Sequence, residues 1–91
     1  MFRLWVREFK ENHLVRDITI DDDTIDTRTH KIFNSLEKAC YELDLSKPIW
    51  LDSNVAEFKK TAKARFYQDS FVEEIPFDYL EIQIIEEDFY L

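Results

Sequence analysis

Residues 2–9 alternate, with Phe2, Leu4 and Val6 on one side and Arg3, Trp5, Arg7 and Phe9 on the other. Residues 14–21 alternate as well, setting Leu14, Arg16, Ile18 and Ile20 against Val15, Asp17, Thr19 and Asp21. A period of two belongs to a strand whose two faces see different surroundings. Joined by Lys10-Glu11-Asn12-His13, the two runs predict a β-hairpin, 2–9 with 14–21.

Side chains predict the register, because directly opposed residues share a face and interact. A three-residue loop at Glu11-Asn12-His13 sets Val6 opposite Ile18 and Leu4 opposite Ile20. The same register pairs Arg7 with Asp17, Arg3 with Asp21 and Glu8 with Arg16. A slip of one residue would oppose Val6 to Asp17, so the first register is expected. It puts His13 or Asn12 at the left-handed position of the loop.

Helical periodicity follows. Asp26 or Thr27 can cap a helix over about 27–44, and Ile32, Phe33, Leu36, Ala39, Cys40 and Leu43 form one broad apolar stripe along it. Lys38 and Glu42 sit four apart on its exposed side. Lys47-Pro48 ends this helix, and Asp52 or Ser53 opens a second over about 53–63 that carries Val55, Phe58 and Ala62. Its outer side is expected to be basic, with Lys59, Lys60, Lys63 and Arg65.

Residues 66–79 hold Phe66, Tyr67, Phe71, Val72, Ile75, Phe77 and Tyr79 without a period, interrupted by Pro76. Residues 79–87 alternate again, with Leu80, Ile82 and Ile84 inward and Glu81, Gln83, Ile85 and Glu87 outward. The order β-β-α-α-β predicts an α+β fold: one sheet of about three strands with two helices on one face. The first strand should be central, with Asp17 and Asp21 on one flank of Arg7 and Arg3 and Glu81 or Glu87 on the other. The C-terminal strand is expected to run parallel to the first. No linker or repeat divides residues 1–91, so a single domain is expected.

Composition narrows the chemistry. Glycine is absent from all 91 residues, which removes the phosphate-cradling and dinucleotide loops that depend on it. Left-handed positions should then fall to Asn, Asp or His. The net charge is −8, and all of it comes from residues 66–91, where eight carboxylates stand without a Lys or Arg. An acidic end repels nucleic acid and membrane surfaces and attracts basic partners. No apolar run reaches the ~20 residues of a membrane span. The N-terminal run lacks the apolar region of a signal peptide, and the single cysteine suits a reducing compartment, so a cytoplasmic location is expected.

Candidate catalytic residues do not assemble. Cys40 sits within the apolar stripe, away from His13 and His30, and is expected to be core. Asp21, Asp22, Asp23, Asp26 and His30 offer metal-ligand chemistry, but their spacing does not match a calcium loop, and carboxylates at a helix N-terminus are explained by its dipole. Neither a metal nor a cofactor is expected.

The outward sheet face carries the informative pattern. Arg3, Trp5, Arg7, Phe9 and Ile85 share it with Val15, Asp17 and Glu81, and aromatics rimmed by charge mark an interaction surface. Two arrangements are open: residues 66–78 fold over this face and bury it, or they leave it exposed. The expected function is that of a small acidic, non-enzymatic adaptor or regulatory domain that binds protein, a second copy of itself included. The acidic, aromatic end Glu86-Glu87-Asp88-Phe89-Tyr90-Leu91 supports that reading. The alternative is an acidic nucleic-acid mimic that inhibits a basic nucleic-acid-binding protein.

Overall fold

The computed structural model describes residues 1–87; the expectation placed on Asp88 to Leu91 lies outside the described residues. Strand β1 (Phe2–Lys10) and strand β2 (His13–Asp22) form the hairpin, followed by helix α1 (Arg28–Glu42), helix α2 (Asp52–Thr61), strand β3 (Lys63–Phe66) and strand β4 (Tyr79–Glu86). The sheet order is β2-β1-β4-β3, so β1 and β4 share its centre. This is an α+β fold in the expected order, with one strand more than the pattern showed.

The hairpin register is the one that satisfies the charges: Val6 faces Ile18, Arg7 faces Asp17, Arg3 faces Asp21 and Glu8 faces Arg16. The turn differs. Lys10 pairs with His13, leaving a two-residue loop of Glu11 (φ 51°) and Asn12 (φ 65°), and the skipped residue Val15 becomes a bulge between Leu14 and Arg16. Positive φ at both central residues is the type I′ pattern, whose twist matches that of the strands. The bulge absorbs the residue that a three-residue loop would have held.

Helix α1 begins where the expected cap lies: the Thr27 hydroxyl accepts the His30 N–H at 3.2 Å. Ile32, Leu36, Ala39, Cys40 and Leu43 are buried as the stripe requires, whereas Phe33 is 48% exposed at its margin. Helix α2 starts at Asp52 and has no side-chain cap from Leu51. Instead Asn54, which is buried, accepts the Leu51 N–H through Oδ1 at 3.0 Å and donates to the Arg65 carbonyl through Nδ2 at 2.8 Å. One amide therefore ties the start of α2 to β3.

Helix α2 ends at Thr61 because Ala62 turns left-handed (φ 57°) and closes the last turn on the Phe58 carbonyl. Lys63 and Arg65 thus belong to β3, not to the basic helix face that their spacing suggested. This correction carries another. Each helix reverses the chain, so the strand after them, β3, does run in the direction of β1. The further reversal through residues 67–78 then makes β4 antiparallel to both neighbours, with Val6 opposite Ile82 on one side and Ala64 opposite Ile82 on the other.

Both helices lie on one face of the sheet. The core joins Phe2, Leu4 and Val6 of β1, Leu80 and Ile82 of β4, Ala64 and Phe66 of β3, and the α1 stripe. Trp50, partly buried, packs against the core and stands edge-on to Phe33, Phe58 and Phe66. Phe71, Ile75 and Phe77 enter this same core, with Phe71 and Phe77 in edge contact. At the far end of the core, Arg16 holds buried Glu8 by two hydrogen bonds of 3.0 and 2.8 Å and donates to the Leu43 carbonyl, locking the hairpin to the end of α1.

Candidate interaction face

Residues 66–78 do not fold over the outer sheet face. Phe71, Ile75 and Phe77 point into the core on the helix side, Val72 is exposed to solvent, and Tyr67, 48% exposed, reaches the outer face by packing on Tyr79. Neither α1 nor α2 is on that side. The alternation of β1 therefore presents Arg3, Trp5, Arg7 and Phe9 on an open surface, each of them half-buried by its neighbours.

The strand registers order this surface into rows that cross all four strands. Asp17, Arg7, Glu81 and Arg65 form one row; Thr19, Trp5, Gln83 and Lys63 form the next. Asp21, Arg3 and Glu86 lie in a row beyond, and Phe9 pairs with Tyr79 at the other end.

The charged row is bonded along its length. The Arg7 guanidinium donates to Glu81 and, at 2.8 Å, to Gln83 Oε1, while Arg65 Nε donates to Glu81 Oε2 at 2.7 Å. Glu81 is thereby covered although no other layer among the described residues lies above it: its side chain is 5% exposed. Hydrogen bonding to Glu81, and secondarily to Tyr67, holds the Arg65 pKa above its ordinary value. Asp17 takes a different partner from the one its register suggests. Its Oδ2 accepts the Trp5 indole N–H at 2.8 Å, while Arg7 lies over the Trp5 ring at 3.8 Å.

The aromatic end is stacked rather than loose. Phe9 lies nearly parallel to Tyr79 at 5.3 Å, and Arg65 stands 4.8 Å from the Tyr79 ring centre. At the opposite end Arg3 bonds Asp21 at 3.0 Å and approaches Glu86 at 3.7 Å. Ile85 is the extra residue of a β4 bulge, because Leu4 pairs with Ile84 and Arg3 with Glu86; it is 44% exposed. Glu87, expected on the outer face, instead bonds Arg28 at the start of α1.

Lys63, Arg65, Tyr67 and Tyr79 are the members of this face that sequence reasoning missed. Ala64 and Phe66 do alternate inward with Lys63 and Arg65 outward, but four residues abutting a helix of similar composition do not declare a strand.

The other candidates resolve simply. Cys40 is buried, and burial pushes its thiol pKa up to about 11. Asp26 bonds the Thr27 N–H and the His30 ring, and Asp22 is engaged by Thr24. Those bonds hold both carboxyls below their ordinary pKa, and no group of residues suited to a metal ion forms among the described residues. No described helix is long and apolar enough to cross a membrane.

No protein-family model, curated protein or solved structure matches the chain. The face itself must therefore carry the functional reading.

Proposed function

We propose that this chain is a small acidic, non-enzymatic protein-interaction domain, and that the outer face of its sheet is the contact surface. The observation that carries the proposal is that Phe66, Phe71, Ile75 and Phe77 all enter the core and leave this face open among the described residues. What it presents is a set of half-buried aromatic and arginine side chains, the types that anchor interfaces. They are held in place beforehand by Trp5–Asp17, Arg7–Glu81 and Phe9–Tyr79 contacts, so a partner meets groups whose rotamer entropy is already lost. The carboxylates of this face alternate with cations, which favours a protein partner over the basic groove that a nucleic-acid mimic would occupy.

The test is a Trp5→Ala/Phe9→Ala variant, compared with wild type by light scattering and by capture of binding partners, with circular dichroism as the folding control. Binding by either measure should weaken while the fold persists, because neither side chain belongs to the helix-facing core. A Tyr67→Ala variant removes a half-exposed ring from the same face and guards against misfolding of the first. Unchanged association in both variants would place the contact surface elsewhere.

A further inference from the structure

The outer face carries its charges in columns, one per strand. On β2 they are Asp17 and Asp21; on β1, Arg3 and Arg7; on β4, Glu81 and Glu86; on β3, Lys63 and Arg65. Across the sheet the signs therefore read negative, positive, negative, positive. This pattern changes sign when reversed from edge to edge, and that property selects a partner.

We infer that the face docks a second copy of this chain, sheet against sheet, about a twofold axis parallel to the strands and passing between β1 and β4. The inference rests on the proposed function above and names its partner. Rotation about this axis lays β2 of one copy over β3 of the other, and β1 over β4. The outer columns then meet their opposites: Asp17 faces Arg65 of the second copy, and Asp21 lies one row beyond its Lys63, at both ends of the interface. The other in-plane axis, running across the strands, would lay each strand over its own equivalent and set like on like. Charge thus chooses between the two arrangements that face-to-face packing allows.

The remaining rows fit the same operation. Phe9 comes over Tyr79 of the second copy, putting ring against ring, and Trp5 comes over Gln83. Packed sheets sit about 10 Å apart and are rotated by about 30°, which slides the outer strands past one another by roughly one residue. That slip leaves the pairing intact, because β3 presents only cations on this side and β2 no cation.

The size of the face sets the strength. Strands about 4.8 Å apart with a rise of about 3.3 Å per residue give a face of roughly 400–500 Å² per copy. The total lies at the low end for specific interfaces, so the dimer is a weak one that forms as concentration rises into the micromolar range and above.

Thr19 provides the test. It is exposed, lies on β2 in the row of Trp5, Gln83 and Lys63, and faces the β3 cations of the second copy. Thr19→Asp should tighten the dimer and Thr19→Lys should loosen it, each by about threefold to tenfold in dissociation constant, since every substitution acts at two symmetric places. Net charge alone demands the opposite order, because Thr19→Asp makes a chain of net charge −8 more negative. Sedimentation equilibrium of the wild type and both variants, from low micromolar to near-millimolar concentration, distinguishes the outcomes. Tightening by Asp with loosening by Lys supports the arrangement. The reverse order, or equal constants, overturns it. A wild type that stays monomeric throughout also overturns it, yet leaves the open face as a surface for a different protein, which the Trp5 and Phe9 variants test separately.

Discussion

Arg7 and Glu81 stand 74 residues apart in the chain and meet across the seam between β1 and β4, with side chains only 12% and 5% exposed. Their contact is nearly dry on a face over which no layer of the described residues lies. The neighbouring side chains make it so: Trp5 lies under the guanidinium, Gln83 takes one of its N–H groups, and Arg65 binds the second carboxylate oxygen. A pair of this kind contributes little over a well-packed apolar pair, but breaking it strands a charge.

Glu81→Ala should therefore destabilise the fold by about 3 kcal/mol, the scale of an uncompensated charge left in a covered site. Urea denaturation of Glu81→Ala, Arg7→Ala and the double variant measures the coupling. The double variant should cost clearly less than the sum of the single ones, because each single change leaves the partner unpaired. Additive costs would show that the two side chains do not act as a pair.

Cys40 has an alkaline signature. Burial raises its thiol to about 11, so between the ordinary thiol range and that value the folded chain retains a proton that the unfolded chain releases. The stabilising difference is complete below the unfolded thiol pKa of about 8.5 and is lost as pH rises toward the folded value, by up to about 1.4 kcal/mol per pH unit. Denaturation midpoints should fall more steeply between neutral pH and about pH 10.5 in wild type than in Cys40→Ala. The native thiol should also resist a thiol reagent near neutral pH, and rapid labelling without denaturant would contradict its burial.

Ala62 holds a left-handed conformation (φ 57°) that a Cβ disfavours, and its N–H and C=O are both bonded, to the Phe58 carbonyl and the Ile84 N–H. Ala62→Gly keeps both bonds and relieves the steric cost, so it should stabilise the protein by about 0.5–1 kcal/mol. The same substitution in the interior of a helix has the opposite sign, and chemical denaturation reads the difference directly.

Trp50 makes edge contacts with Phe33, Phe58 and Phe66, joining α1, α2 and β3 through one ring system. Trp50→Ala should cost about 2–3 kcal/mol, below the range for a fully buried ring because Trp50 is only partly buried, and Trp50→Phe distinctly less. If both changes prove mild in urea denaturation, the helical layer does not depend on this ring.

Local pattern was sufficient for the hairpin, its register, the α1 stripe and the C-terminal strand. In each, side chains a fixed step apart must face the same surroundings, and opposite charges penalise a slipped register. The burial of Cys40 and the capping role of Thr27 were legible for the same reason. The absence of glycine misled at one level: Glu11 and Ala62 took left-handed positions that Asn, Asp or His were expected to hold. The twist of a two-residue hairpin and the need to end α2 beside β3 outweighed local preference there.

What only the tertiary structure decided is where the ambiguous pieces went. Lys63 to Phe66 is too short to declare a period, and it became a strand because β4 offered unpaired backbone groups alongside it. That choice reversed β4 and brought Arg65 to Glu81. The aromatic segment 66–78 fitted either side of the sheet by composition alone; Phe66, Phe71 and Phe77 went into the core on the helix side, and among the described residues the outer face remained open. Alternation determined which residues of β1 share a face. Which strands lie beside them, and so the order of charge across that face, depended on the path of the whole chain, because pairings between distant strands are set by global packing and not by any local run of residues.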